Sequence, residues 1–313
     1  MAQSKILLPV VGIAGLLMLT GLIIGPVGAA LFQGSAKEAF LPVPEVHLAP
    51  QTVFHLGGFA VTNTLLSAWL TTIVVLLLFV GGTRKMQVVP ARFQNVIEIF
   101  IEALYGFMAG VVGERFARSF FPVLATIFIF VAFNAWIALL PIYPTVGFFA
   151  EGEHHITTHL LRSAGTDINM PLALAIISFV FVEAWGLKVH KVPYLRDFFR
   201  FGGIFNGIIK MKPGAVFYGA IDAFVGLLEL ISHFIRLLSF TFRLFGNMLA
   251  GEIVLFMVTF LVIFIAPLAF YFLEILVGGV QALIFTGLTL VFGLMAVTQH
   301  DEGHEEHAAE GAH

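Results

Sequence analysis

The sequence predicts an all-α polytopic membrane protein, and three observations support this fold class. Of the 313 residues, 59% are hydrophobic and 11% are charged, whereas soluble domains carry roughly 25% charged residues. Several apolar runs reach the ~20 residues that a membrane-spanning helix needs. These runs do not alternate polar and apolar residues, as the strands of a membrane β-barrel would. The protein is therefore expected to lie in a lipid bilayer and to cross it with helices.

Two predicted spans precede an amphipathic segment. The first runs from Ile6 to about Phe32 behind a single Lys5. A secretory signal has an apolar core of only roughly 7 to 15 residues, so a retained anchor is expected rather than a cleaved leader. A polar segment follows, and the second span covers about Thr62 to Val80.

The segment "PARFQNVIEIFIEALYGFMAGVVGERFARSFF" has the pattern of an interfacial amphipathic helix. Its apolar face is formed, at helical spacing, by Phe93, Val96, Ile97, Phe100 and Leu104. The opposite face carries Gln94, Asn95, Glu98 and Glu102. A helix with one apolar and one charged face is expected to lie at the membrane surface rather than to cross the bilayer.

Four further apolar segments complete the chain. Spans are predicted at about Phe120 to Leu140 and about Ile168 to Leu187, joined by a polar, His-rich loop. The 53 residues between Pro213 and Pro267 contain no proline. As one helix they would reach about 80 Å, although the bilayer core is only about 30 Å thick. This stretch therefore either breaks into two crossings or lies strongly tilted, and a last run follows at about 268 to 298.

The basic residues predict the orientation of these spans, because cytoplasmic loops are enriched in lysine and arginine. With the N-terminus inside, Lys37 and Arg162 lie outside. Twelve basic residues then lie on the cytoplasmic side: Lys5, Arg84, Lys85, Arg92, Arg115, Arg118, Lys188, Lys191, Arg196, Arg200, Lys210 and Lys212. Both termini are then cytoplasmic if the long stretch crosses once, which favours a single tilted helix.

Polar side chains form a stripe along this long stretch. Glu229, Arg236 and Arg243 are spaced seven apart, so they lie within about 40° on one helix face. The stripe is extended by Ser232, His233, Ser239 and Asn247. Carboxylates in such positions can take up and release protons, as an intramembrane proton pathway requires.

Arg243 has a different chemistry from the acids, because its pKa is too high for proton relay. It is a fixed positive charge whose insertion at mid-membrane costs about 2.5 to 3.5 kcal/mol. No acid lies three or four residues away from it, so its partner is expected on another helix or another subunit. Glu252 lies nine residues further and faces nearly the opposite way, whereas Glu274 and Gln281 share a face of the last helix.

Five stretches of the chain resemble subunit a of the F-type ATP synthase, the stator channel of its membrane Fo sector. They are "LLELISHFIRLLSFTFRLFGNMLAGE", "VQALIFTGLTLVFGLMA", "VPARFQNVIEIF", "NAWIALLPIYPT" and "TDINMPLALAI". "RLFGN" followed by "AGE" is highly specific in this setting. The resemblance extends over residues 59–298. Residues 1–58 lie outside it and are expected to form an N-terminal anchor or signal followed by an external polar segment. Residues 299–313 also lie outside it and are expected to form a cytoplasmic tail rich in histidine and acidic residues.

The resemblance implies a fold and a mechanism. The last two helices would form a long, steeply tilted hairpin against a rotating ring of c subunits. Protons would enter a half-channel from outside, protonate a carboxylate of the ring, and leave through a second half-channel inside. Arg243 matches the essential arginine that stands between the half-channels and attracts each deprotonated ring carboxylate.

The resemblance also assigns other positions. Asn247 and Gln281 match polar residues beside the arginine, Glu252 matches the acid of the outer half-channel, and Glu229, with Ser232 near it, matches an acid of the inner one. Asp167 and Asn169 match a polar pair at the outer end of an earlier span. Arg236, His233 and Ser239 are possible further members of the pathway.

One departure concerns the positions of Glu252 and Glu274. Many family members carry one glutamate and one histidine there, whereas this chain has two glutamates. Two acids could share a proton or be bridged by a cation, so coupling to protons and coupling to sodium both stay open.

The expected partners are the c-ring, b-type peripheral stalk subunits and the bilayer of the cell inner (plasma) membrane, with no nucleic acid. The sequence has no nucleotide-binding loop, metal motif or cysteine nucleophile. A non-catalytic subunit without a cofactor or metal is therefore expected.

A self-contained secondary transporter remains an alternative, although the internal repeat typical of many transporters is not visible. A membrane scaffold would have little use for unpaired charge within the membrane.

Structural roles are the alternatives for several polar residues. Arg236 could pair with Glu229 along the stripe, Asn134 is expected to form a hydrogen bond between helices, and Glu252, Glu274 and Gln281 could make polar contacts in a bundle. A solvated loop is expected around His154, His155 and His159, with zinc binding or proton collection as the alternative. A mobile cytoplasmic tail is expected around His300, His304 and His307, with metal binding as the alternative.

Overall fold

The structure is a computed structural model with side chains. It describes residues 2–32, 49–84, 86–87, 92–143, 145–148, 158–191, 194, 202, 209, 213–262 and 265–298. The α-helices in these ranges are α1 (Ala2–Ile24), α2 (Pro26–Phe32), α3 (Asn63–Thr83), α4 (Arg92–Ala138), α5 (Asn169–His190), α6 (Pro213–Leu261) and α7 (Ile265–Thr298). In the part of the chain that is described, the last five are long and apolar enough to cross a membrane. The prediction of an all-α polytopic membrane protein is confirmed.

The N-terminal apolar run is two helices rather than the single predicted span. Helix α1 ends at Ile24 and α2 begins at Pro26. Proline has no N–H for the helical ladder and its ring clashes with the preceding turn. A β-carbon on Gly28 would overlap the main-chain carbonyl of Ile23, so the bend also requires glycine at that position.

Helix α4 joins the segment predicted to be interfacial to the span that follows it. The two helical parts meet at Gly113, whose φ of 75° and ψ of 157° are not helical. A positive φ is accessible mainly to glycine. The boundary between the two predicted helices is therefore a kink at one residue, and no separating loop is present.

The long proline-free stretch is one continuous helix. Helix α6 runs for 49 residues, or about 74 Å, so the alternative of two separate crossings is wrong. Helix α7 begins three residues before the predicted start of the last run, with Pro267 in its first turn. Proline is tolerated there because first-turn N–H groups have no helical acceptor.

Two small hairpins that the sequence did not predict lie among the helices. Strands β1 (Thr52–Leu56) and β2 (Phe59–Thr62) pair antiparallel around Gly57 and Gly58, both of which have positive φ. Strands β3 (Gly147–Phe148) and β4 (Thr158–His159) form a second antiparallel pair. A short 3₁₀-helix, Ala164–Thr166, precedes α5.

The chain divides into two compact units. Unit 1 comprises Met1–Leu76, Phe130–Asp167 and Phe245–Ala282, and unit 2 comprises Leu77–Ile129, Ile168–Leu244 and Leu283–His313.

Both units bury apolar and polar side chains. In unit 2 the ring of Phe120 lies 5.1 Å from the rings of both Phe181 and Trp185. In unit 1, α3 buries the polar residues Asn63, Thr64, Ser67 and Thr71. The amide of Asn134 donates to the hydroxyl of Thr71 over 3.4 Å, which confirms the predicted hydrogen bond between helices.

Candidate functional site

Arg243 lies on α6 within unit 2, and its side chain is exposed. Within the described residues, no side chain forms a hydrogen bond or ion pair with its guanidinium. The adjacent Phe242 is 56% exposed. The surrounding part of α6 exposes further large apolar side chains: Phe217, Tyr218, Ile221, Phe224, Val225, Leu227, Leu228, Ile231, Phe234, Ile235 and Leu238. Arg243 is thus a fixed cation on a wide apolar surface, and the expected partner on another helix is not found in the described part of the chain.

Unit 2 also contains an acid that the sequence analysis did not select. Glu183 on α5 accepts a hydrogen bond from the Tyr194 hydroxyl through Oε2 at 2.9 Å. Its Oε1 lies 2.6 Å from Nδ1 of His233 on α6. Burial and the neighbouring negative charge of Glu183 raise the pKa of Tyr194, so the phenol remains a neutral donor. Glu183 lies inside a predicted span, and an acid in such a position is itself the sequence signal for a functional site.

Four other members of the predicted stripe lie near this cluster in sequence. The guanidinium of Arg236 lies over the ring of Phe292, 3.7 Å from its centroid, in the geometry of a cation–π contact. Within the described residues Arg236 forms no ion pair with Glu229, so the predicted pairing of these two is wrong. Glu229 is half-buried, whereas Ser232 and Ser239 are exposed.

In unit 1, Glu252 on α6 pairs with Arg162. Nε of Arg162 lies 3.2 Å from Oε1 and 3.3 Å from Oε2, and Nη2 lies 3.2 Å from Oε2. Both carboxylate oxygens therefore accept from one guanidinium. From the sequence, Arg162 is predicted only to be an external basic residue, because no local pattern links positions 90 residues apart.

Two further hydrogen bonds, from Nη1 and from the main-chain N–H, hold Arg162 in place. Nη1 donates to the carbonyl of Ala49 over 3.2 Å. The main-chain N–H of Arg162 donates to the hydroxyl of Ser67 on α3 over 3.1 Å. The Ser67 hydroxyl in turn donates to the carbonyl of Asn63. Arg162 is only 9% exposed, so the guanidinium is held in place within unit 1.

The solvated loop expected around His154, His155 and His159 does not extend to the segment before α5. Residues 162–167 are all buried, and Asp167 accepts a hydrogen bond from the Thr64 hydroxyl over 2.9 Å. His159 is also part of the packed structure: its main-chain N–H donates to Gln51 and its carbonyl accepts from Asn63. His154 and His155 lie outside the described residues, as do His300, His304 and His307.

The remaining predicted residues differ in their exposure. Asp167 is 8% exposed, whereas Asn169, at the start of α5, is exposed. Asn247 is half-buried. Gln281 is 5% exposed, and its Nε2 has no acceptor in the described part of the chain.

Glu274 on α7 lies against the backbone of α6 in unit 1. A β-carbon on Gly251 would overlap its carboxylate. Glu274 is half-buried, and within the described residues no side chain donates a hydrogen bond to it. Glu252 and Glu274 therefore differ in their surroundings: a cation holds Glu252, and none of the described residues holds Glu274 in this way.

Comparison with known proteins identifies the family. The family model described as ATP synthase A chain matches residues 65–293. The ATP synthase subunit a of Gloeobacter violaceus is 33% identical over 267 residues, covering 84% of this chain and 95% of the relative. The subunit a of Desulfosudis oleivorans is 36% identical over 237 residues, covering 75% and 88%. The chain therefore belongs to the ATP synthase A chain family, as a membrane-spanning component of the ion-conducting Fo sector of ATP synthase.

Proposed function

We propose that the chain forms two offset half-channels for protons against a rotating c-ring and thereby couples proton flow to ATP synthesis. The chain carries out no ATP chemistry itself, because its sequence contains no nucleotide-binding loop. It lies in the cell inner (plasma) membrane with both termini cytoplasmic, and b-type peripheral stalk subunits hold it still. The orientation rests on the asymmetry of twelve cytoplasmic to two external basic residues.

The single observation that carries this proposal is the environment of Arg243. A guanidinium within an apolar helix is costly unless a carboxylate compensates it. The exposed position and the absence of an acid beside it in the described residues favour a carboxylate on another subunit. The apolar surface around Arg243 suits a protein or lipid neighbour rather than water.

The fixed charge gives the proposed coupling its direction. Arg243 stays protonated, so it attracts a ring carboxylate that has lost its proton. The same positive charge repels a proton that would pass directly from one half-channel to the other. Protons therefore cross only by riding on the turning ring.

The outer half-channel is proposed to use residues that include Asp167, Glu252 and Glu274 of unit 1. Asn247 and Gln281 of the same unit add polar groups, and the unsatisfied Nε2 of Gln281 is a donor for water or for a carboxylate of the ring. Asn169 at the start of α5 completes the predicted outer set.

The inner half-channel is proposed to use unit 2. Glu229 and Ser232 are joined there by Glu183 and His233, whose 2.6 Å contact allows a proton to pass between carboxylate and imidazole. A carboxylate and an imidazole in contact suit a proton path better than a sodium path, because sodium prefers oxygen ligands.

The pairing in unit 1 also favours protons as the coupling ion. A cation bridged between Glu252 and Glu274 would need free oxygens on both. Both oxygens of Glu252 already accept from Arg162, and the guanidinium charge would repel a sodium ion at that carboxylate.

Replacement of Arg243 by alanine tests the proposal. ATP synthesis should be lost while passive proton leak through Fo rises, because ring carboxylates could then pass the interface protonated in either direction. The measurements are ATP synthesis and proton uptake in vesicles, with pull-down of the c-ring to check assembly. The matched control is Arg84→Gln, which removes a charge from another exposed arginine. Near-normal synthesis in an assembled alanine variant would refute the proposal.

A further inference from the structure

We propose that Arg162 is a positioning residue that fixes Glu252 as a permanent ion pair, and that Glu274 is the carboxylate of unit 1 that carries the transported proton. This inference rests on the proposed function and gives the two glutamates different roles. It predicts that Glu252 can be replaced if Arg162 is replaced with it, whereas Glu274 cannot be replaced.

The geometry of the ion pair is the first support. Three N···O distances of 3.2 to 3.3 Å join the Arg162 guanidinium to both oxygens of Glu252. Arginine does not give up its proton in proteins. A proton arriving at Glu252 therefore meets a carboxylate whose ionised form a permanent cation already stabilises through both oxygens.

The second support is that Arg162 is fixed independently of Glu252. Its Nη1 donates to the carbonyl of Ala49 and its main-chain N–H donates to Ser67. A side chain held at several points loses little further freedom when it pairs with a carboxylate, so the pair is pre-organised. The guanidinium cannot swing away with each transported proton without breaking the contact to Ala49.

The surroundings of the Glu274 carboxylate differ from those of Glu252. Its carboxylate lies across Gly251, and in the described part of the chain no cation or hydrogen-bond donor holds it. Its oxygens are free for an arriving proton. In the proposed step an O–H bond forms on Glu274 as a proton arrives from outside, and it breaks as the proton passes to a ring carboxylate, with no net change in the side chain.

The two partners of the pair should depend on each other. Glu252→Gln leaves the buried positive charge of Arg162 without its partner, and this charge repels protons in the pathway. Arg162→Gln leaves a carboxylate without its cation. Breaking such a pair on one side is strongly unfavourable, whereas removing both charges together is often tolerated.

The test measures passive proton flux through Fo in vesicles, divided by the amount of complex recovered with the c-ring. Glu252→Gln and Arg162→Gln should each lower flux per complex by about tenfold or more. The double variant Arg162→Gln/Glu252→Gln should return to within about threefold of the unaltered complex. Glu274→Gln should remove the flux, and the control Arg84→Gln should leave it unchanged.

Three results would overturn the inference. The first is a double variant as slow as either single variant, which would make Glu252 itself the carrier. The second is retained flux in Glu274→Gln. The third is an Arg162→Gln variant that assembles poorly but conducts normally per complex, which would make the arginine purely structural.

If the double variant does not assemble, the single variant Arg162→Lys tests the inference instead. Lysine keeps the charge without the planar fork, so its flux per complex should lie clearly above that of Arg162→Gln, and equal fluxes would overturn the inference. Failure of the proposed function would be recognised separately, because synthesis and leak would then be insensitive to Arg243→Ala.

Discussion

The imidazole of His233 on α6 lies 2.6 Å from the carboxylate of Glu183 on α5, and the two residues are 50 positions apart in the chain. The remaining carboxylate oxygen of Glu183 accepts from the Tyr194 hydroxyl. A carboxylate and an imidazole at hydrogen-bond distance can exchange a proton. This pair is therefore the part of unit 2 best suited to proton release.

Replacing Glu183 by glutamine should slow proton flux with the complex still assembled. Positioned proton-transfer groups contribute roughly 10² to 10⁴ in rate, so a fall of about tenfold or more is expected for Glu183→Gln. The matched control is Tyr194→Phe, which keeps the acid and the imidazole and loses one hydrogen bond. Its effect should be about threefold or less. Equal losses in both variants, measured as proton uptake per assembled complex, would assign the cluster a packing role instead.

Arg243→Lys should behave differently from Arg243→Ala. Lysine keeps a positive charge and so should block passive leak better than alanine. It lacks the planar fork and the very high pKa of arginine, so ATP synthesis should still fail. The two variants are compared by proton conductance at an imposed potential, where 100 mV applies about 2.3 kcal/mol per charge. A lysine variant that leaks as much as the alanine variant would contradict the role of the fixed charge.

Gly251→Ala should lower proton flux through its effect on Glu274. The new β-carbon would overlap the Glu274 carboxylate, which can turn away because it ends a flexible side chain. The fold should therefore persist while the carboxylate is displaced. Alanine also favours a helix by about 1 kcal/mol over glycine, so a loss of flux could not come from a weaker helix.

Gly279→Ala is the matched control for that substitution. Gly279 lies on α7 in the same unit, and a β-carbon there would meet Trp136 at 3.5 Å, an ordinary contact. Flux per assembled complex should stay close to normal. If both alanine variants conduct equally, the position of the Glu274 carboxylate does not limit transport.

Both termini should be cytoplasmic. This prediction follows from the twelve cytoplasmic and two external basic residues. Membrane-impermeant labelling of a tag at either terminus in intact cells should fail and should succeed after permeabilisation. Labelling of a tag from outside intact cells would show that this terminus is external and would contradict the prediction. N-terminal sequencing of the mature protein accompanies the experiment, because cleavage of the first helix would remove the N-terminal tag.

Hydropathy and charge spacing along the sequence predict the membrane class, the main spans and the position of the intramembrane arginine. Long apolar runs are a local signal, and hydrophobicity over ~20 residues suffices to predict a crossing. The absence of proline between Pro213 and Pro267 was compatible with one helix, and the charge asymmetry favoured it over two. The same local reasoning singled out Arg243, since arginine in an apolar helix is rare without a function.

Which charged side chains pair with each other depends on how the helices pack. Arg162 and Glu252 are 90 positions apart, and Glu183 and His233 are 50 apart. Hydropathy and helical spacing report one element at a time, so neither can pair side chains on different elements. The burial of residues 162–167 could not be predicted for the same reason. Several of their polar groups are satisfied by contacts with Thr64 and Ser67 on α3, and such contacts exist only once the helices have packed.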